Sequence, residues 1–237
     1  MQKGICLASR RCGRVPVLAV LLIAMAFAIG ALFFLGSGAA GNQAVYIEDG
    51  YNAYVDKDFD NSYKNFLKAR NGFSPWLSFY NLFSENILSK EEVDEMIFSL
   101  CVSAAYEDFF NLEQSKWVSV AEKEMQRFST LKDSEKTKEY TQIYKTLVGV
   151  AELCELYDKE EYEEAFKKLL PLEKEALASD QDFFVFEIRF MIASARAMKE
   201  PLILKRAREL LFMMTNQVGE DNEKTMALWS LMRSGSK

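Results

Sequence analysis

From Ala44 onward, apolar residues return every three or four positions along the chain, the spacing of one face of an α-helix. Ile97, Leu100, Cys101, Ala104 and Ala105 form one such stripe, and Phe186, Phe190, Ile192, Ala193 and Ala197 form another. No stretch alternates apolar and polar residues as a half-buried strand would, and no hairpin dipeptide separates two such stretches. Asn71-Gly72 follows a helical run and suits its C-terminal stop. Breakers and polar clusters divide the body into about ten helices: 45–55, 58–70, 75–88, 90–110, 113–130, 134–157, 160–177, 181–198, 201–217 and 221–233. Ser89 ahead of Glu91 and Glu92 marks one start, and Pro201 fits a first helical turn that needs no N–H. Short connections make consecutive helices antiparallel neighbours. Pro171 falls inside a helical stretch and is expected to kink or divide it.

Upstream the pattern changes. Residues 15–35 are uncharged and mostly apolar without a polar face; as a helix they would rise roughly 30 Å, the thickness of a bilayer's hydrocarbon. Lys3, Arg10, Arg11 and Arg14 lie only before this stretch, which places residues 1–14 in the cytoplasm and the body across the membrane. The expected organisation is a basic tail (1–14), a transmembrane anchor (15–35), a small-residue tether (36–43) and a helical domain (44–237). The stretch Gly36-Ser37-Gly38-Ala39-Ala40-Gly41 also offers small residues to a signal peptidase, so a cleaved signal and a secreted body stand as the alternative.

Within the body one unit has a recognisable logic. Tyr46 and Gly50 stand one turn apart on one helix, and Phe59, Ser62, Phe66 and Ala69 mark the next. Two antiparallel helices approach closely where small residues face bulky ones. Tyr162, Ala165 and Leu169 repeat the second-helix spacing, and Ala195, Ala207 and Leu211 repeat the whole pattern, with Ala195 standing where Gly50 stands. A fainter copy centres on Ala121 and Met125.

This ladder resembles the tetratricopeptide repeat (TPR), built from helix-turn-helix units. The resemblance runs from Ala44 to about Gln217 and implies an α-solenoid of packed hairpins that binds a protein partner. Departures are plain. Asp49 occupies a position usually apolar, and Phe109 and Leu153 replace small residues. The anchors Ala121, Ala165 and Ala207 are 44 and 42 residues apart, against a period of about 34 in the family. By organisation the chain is similar to membrane-anchored periplasmic TPR proteins.

Charge and residue chemistry narrow the function. The body carries all 35 acids of the chain, which argues against nucleic acid as a partner. There is no histidine, so Ser-His and Cys-His nucleophile pairs and most zinc and haem ligand sets are absent. The acidic run Glu155, Asp158, Glu160, Glu161, Glu163 and Glu164 is interleaved with lysines and reads as a solvated helix face. Cys101 and Cys154 sit among apolar neighbours and read as buried thiols, with a bridge as the alternative. No cofactor, metal or catalytic group is expected. The aromatic run Phe73, Trp76, Phe79, Tyr80 and Phe83, continuing through Tyr106, Phe109 and Phe110, reads mainly as core. Trp76, Tyr80 and Tyr106 are the candidates for partner contact. These features point to a non-enzymatic scaffold or chaperone-like adaptor at the outer face of the cytoplasmic membrane. The alternative is an accessory ligand-binding component of a solute-uptake or cell-wall system.

Overall fold

The computed structural model describes residues 17–75, 77, 80, 88–128, 134–176 and 181–234. Among the described residues the chain is all-helical, without a strand. The first helix, α1 (Val17–Val55), runs unbroken for 39 residues, a rod of about 58 Å. Its N-terminal half exposes Met25, Phe27, Ile29, Phe33, Phe34 and Leu35. It is the one helix among the described residues long and apolar enough to cross a membrane, by length and composition, and a signal sequence meets the same test.

The body helices follow: α2 (Phe59–Asn71), α3 (Lys90–Phe110), α4 (Trp117–Phe128), α5 (Ser134–Asp158), α6 (Tyr162–Glu175), α7 (Gln181–Met198), α8 (Pro201–Val218) and α9 (Glu223–Ser234). Pro75, Leu77 and Tyr80 are also helical; the rest of the helix expected over 75–88 lies largely outside the described residues. Two expectations need correction. The segment 36–43, read as a tether, is part of α1. It contains no proline, and Gly36 and Gln43 are buried, so packing offsets a glycine cost of about 1 kcal/mol each. Nor does Pro171 divide its helix, since α6 continues to Glu175. Pro171 and Lys167, whose carbonyl loses its helical partner, are both exposed, so water can satisfy the orphan.

Helix starts are chemically marked. Ser89 and Glu92 form a reciprocal capping box on α3, and Asp58 caps α2 through the Asn61 N–H. The helices pair as hairpins, α1/α2, α3/α4, α5/α6 and α7/α8. All four hairpins share one turn. Lys57, Leu112, Glu160 and Lys199 take left-handed backbone conformations, with φ of 58°, 61°, 62° and 58°. The N–H of the following residue then bonds back five residues: Asp58 to Ala53, Glu113 to Asp108, Glu161 to Leu156 and Glu200 to Ala195. This closes the orphan carbonyls at the end of the first helix. The residue that donates this bond is acidic in every case, close to the positive N-terminus of the second helix.

The hairpins enclose one core. α3 buries Val93, Ile97, Phe98, Cys101, Ala104 and Phe109 among others, and it touches α2, α4, α5 and α7. Its contact with α7 is carried by Phe109 against Phe186, with ring centroids 6.2 Å apart, and by Arg189 Nε donating to the Phe110 carbonyl at 3.1 Å. α9 closes the far end against α7 and α8, burying Leu228 and Met232.

Candidate interaction groove

The residues that form the repeat-like ladder are packing residues. Ser62, Phe66, Ala69, Ala165, Leu169, Ala195, Ala207 and Leu211 are buried. Gly50 is buried against the ring of Phe66, so close that a Cβ would collide with it. Tyr46 and Phe59 are half-buried in the same α1/α2 interface: the Lys68 ammonium lies 5.4 Å over the Tyr46 ring, and Tyr54 meets Phe59 at 6.0 Å. Tyr162 is half-buried and meets Tyr157 at 5.1 Å.

The three aromatic candidates for partner contact fare differently. Tyr106 is 3% exposed and stands edge-on to Phe109, so it belongs to the core, where Phe98 and Phe109 of α3 are also buried. Tyr80 is half-buried, its ring 4.9 Å from Phe33 of α1. Trp76 lies outside the described residues.

The surface that is open lies elsewhere. Tyr51 and Tyr54 of α1, 51% and 38% exposed, form one wall of a cleft of about 500 Å³. Its opposite wall is α3, through Glu92, Glu95, Met96, Ser99 and Ser103, and Tyr140 of α5 closes one side. Two further hollows adjoin the cleft, each sharing two lining residues with it. One, past Tyr51 and Leu88, lies along α1 over Glu48, Ile47, Ala44, Gln43 and Ala40. The other, past Tyr54 and Ser103, is lined by Lys57, Glu107, Asp182, Glu223 and Lys224. This row of hollows, the groove, is lined mainly by α1 and α3, with Phe59 and Phe66 of α2, Tyr140 of α5 and the starts of α7 and α9.

Its electrostatics differ along its length. The far end is paired: Lys57 Nζ lies 2.8 Å from Glu107 and 3.6 Å from Glu223, and Lys224 lies 2.7 Å from Asp182. The hydrogen bond from Lys57 to Glu107 holds the ammonium above its ordinary pKa. In the middle, Glu92 is held below the usual carboxylate range by the Ser89 backbone N–H. Glu95 accepts from Lys136 at 2.8 Å. Burial, and then the charge of Glu95, pushes the Tyr140 hydroxyl up to about 12, so it is a neutral donor. At the α1 end Gln43 is 3% exposed and its Nε2 has no hydrogen-bond partner among the described residues. A buried amide donor in that state costs about 1–3 kcal/mol until something accepts from it.

Tyr51 and Tyr54 escape a sequence reading because Tyr46 and Gly50 already account for one face of the helix. The signal is geometric: three residues apart, they are neighbours on the helix surface and edge the α1/α2 interface, Tyr51 against Phe66 and Tyr54 against Phe59.

A second polar cluster locks α2 to α3 and α4. Arg70 donates to Glu124 at 2.5 Å and to Asp94 at 3.3 Å, and Tyr63 donates to Glu124 at 3.3 Å. Burial raises the Asp94 carboxyl against the opposing pull of Arg70. The acidic run from Glu155 to Glu164 lies on an exposed face, with Glu155 paired to Lys159 at 2.6 Å. Cys101 and Cys154 are buried free thiols, each pushed up to about 12 by desolvation. Among the described residues no group of His, Cys, Asp and Glu is arranged to hold a metal ion.

No family model, no curated protein and no solved structure matches this chain.

Proposed function

We propose that the protein is a membrane-anchored, TPR-like interaction scaffold without catalytic activity, whose helical body stands outside the cytoplasm and grips a protein partner in the groove between α1 and α3. The observation that carries this reading is the groove itself. It pairs exposed Tyr51 and Tyr54 with carboxylates at Glu48, Glu92 and Glu95. Exposed tyrosines and an acidic rim suit a segment of apolar and basic residues. The shared hairpin turn supports a repeat origin, and a lining drawn mainly from the first helices of the hairpins supports a solenoid-like inner face. The α3–α7 contact departs from a strictly linear stack, in which each unit touches only its neighbours.

Basic residues confined to the N-terminal side of the apolar stretch support the proposed topology. The unbroken passage of α1 from that stretch into the body favours a retained anchor over a cleaved signal. The groove is open along its length, which suits a polypeptide better than a small apolar ligand that needs enclosure.

The test is site-directed photocrosslinking in intact membranes, with a crosslinking residue in place of Tyr54 and, as a control, in place of exposed Lys159. A discrete protein adduct at Tyr54 and none at Lys159, weakened by Glu48→Lys on the exposed rim, supports the scaffold. Absence of any protein adduct from the groove, with a small molecule recovered from the purified protein, points to the ligand-binding reading.

A further inference from the structure

From α2 onward the chain descends along α1 in register. Phe59 lies by Tyr54, Phe66 by Tyr51, Lys68 by Tyr46 and Tyr80 by Phe33. Each step down the body's sequence meets a step down α1 toward its apolar half. Phe33 lies within the uncharged stretch 15–35, two residues before its end at Leu35, or about 3 Å along the helix axis. Phe33 and its neighbours Phe34 and Leu35 remain 46%, 79% and 50% exposed. A side chain packed on Phe33 therefore shares the depth at which α1 leaves the hydrocarbon.

Two further observations, one of sequence and one of structure, support such a depth for Tyr80. Between Arg70 and Glu85 the sequence holds no charged residue, and it carries Phe73, Trp76, Phe79, Tyr80 and Phe83. Tyrosine and tryptophan concentrate at the membrane–water interface, where an apolar ring and a polar tip are both satisfied. Secondly, α1 is helical without interruption through 36–43, so no slack lets the body stand off from the bilayer.

We propose that Tyr80 is a lipid-contacting foot: held against Phe33, it rests in the headgroup zone and seats the helical body directly on the membrane. The proposal rests on the anchor reading of residues 15–35. It fixes the orientation of the groove, whose near end at Ala40 begins five residues beyond Leu35, or about 8 Å along α1. The partner segment that enters the groove is then one lying at the membrane surface.

The experiment is nitroxide depth measurement on the full-length protein reconstituted in phosphatidylcholine–phosphatidylglycerol vesicles. Cys6 and Cys12 are replaced by serine; buried Cys101 and Cys154 remain as unreactive thiols. Labels are placed singly at Phe27→Cys, Tyr80→Cys, Pro75→Cys and Lys159→Cys, with circular dichroism confirming the helical fold. Collision with oxygen reports lipid, and collision with a water-soluble nickel chelate reports solvent. The Phe27 label is expected in lipid and the Lys159 label in water, with nickel accessibility at Tyr80 several-fold below that at Lys159. The Pro75 label, which leaves the Tyr80 ring in place, is expected to fall between Tyr80 and Lys159. If Phe27 reports lipid while Tyr80 and Pro75 both match Lys159, the foot is overturned and the anchor stands. If Phe27 also matches Lys159, the anchor reading fails and the foot falls with it.

Discussion

Gly50 of α1 lies against the ring of Phe66 of α2, with no room between them for a methyl group. The ring cannot easily yield, because Phe66 is 2% exposed and Tyr51 meets it edge-on at 5.6 Å. Gly50→Ala gains helix propensity of about 1 kcal/mol, but overpacking a filled site costs about 1–3 kcal/mol. The expected result is a net loss of stability, measured by urea unfolding of the detergent-solubilised chain. Gly41 of the same helix has nothing within 4 Å of where a Cβ would stand. Gly41→Ala is therefore expected to be neutral or stabilising by up to about 1 kcal/mol. If both substitutions act alike, the close approach of α1 to α2 is wrong.

The shared hairpin turn makes a second prediction. Lys199 is exposed and takes φ of 58°, a conformation that costs a residue with a Cβ about 1–2 kcal/mol. Glycine removes that strain while adding unfolded-state entropy. Lys199→Gly is expected to raise stability by about 0.5–1 kcal/mol, whereas Lys199→Ala, which keeps the Cβ, is expected to give no gain. A rise in melting temperature with alanine equal to that with glycine would count against the left-handed turn.

These turns also show what was legible in the sequence and what was not. Helix periodicity placed most boundaries within a residue or two, as with 90–110 and 181–198. Local chemistry such as the Ser89 capping box is enough for that. The repeat was harder to read. The turn residues are Lys, Leu, Glu and Lys, with no glycine to flag them, and they stand 55, 48 and 39 residues apart. What recurs is a backbone geometry with an acid after it, which a search for a fixed period misses. The α1 continuation through 36–43 was hidden for the opposite reason. Small residues read as flexible unless the partner that packs on them is known, and Gly36 and Gln43 are buried by tertiary contacts. The groove depended on which face of α1 the second helix occupies, so Tyr51 and Tyr54 emerged only from the packing.

Glu187 gives a pH dependence with a defined sign. It is 2% exposed on α7, its Oε1 has no hydrogen-bond partner among the described residues, and burial, aided by the charge of Glu173, pushes its carboxyl up to about 7. The folded state therefore holds this proton over a range where the unfolded chain, with a carboxyl near 4.3, has released it. Stability from this group is fully present below about pH 4 and is lost as pH rises through about 7. Glu187→Gln is expected to match the wild type at pH 4 and to exceed it by about 3–4 kcal/mol at pH 8. Urea midpoints at the two pH values decide it, and a difference independent of pH would exclude a buried titrating carboxyl.

The Arg70–Glu124 pair makes a prediction in which the single and double changes oppose each other. The side chains are 7% and 3% exposed, so both charges have left water. Removing one partner strands the other, at a cost of about 3–5 kcal/mol. Glu124→Leu leaves Arg70 with only the longer contact to Asp94 and deprives the Tyr63 hydroxyl of its acceptor. Arg70→Met leaves Glu124 with Arg127 at 3.5 Å. The double variant Arg70→Met, Glu124→Leu buries no unpaired charge at these two positions, and Asp94, already raised by burial, can take up a proton. It is expected to be more stable than either single variant, giving a coupling of several kcal/mol in a double-mutant cycle. Additive losses would mean that the two side chains act independently, and the lock between α2 and α4 would then lie in the apolar contacts of Trp117 with Phe59 and Tyr63.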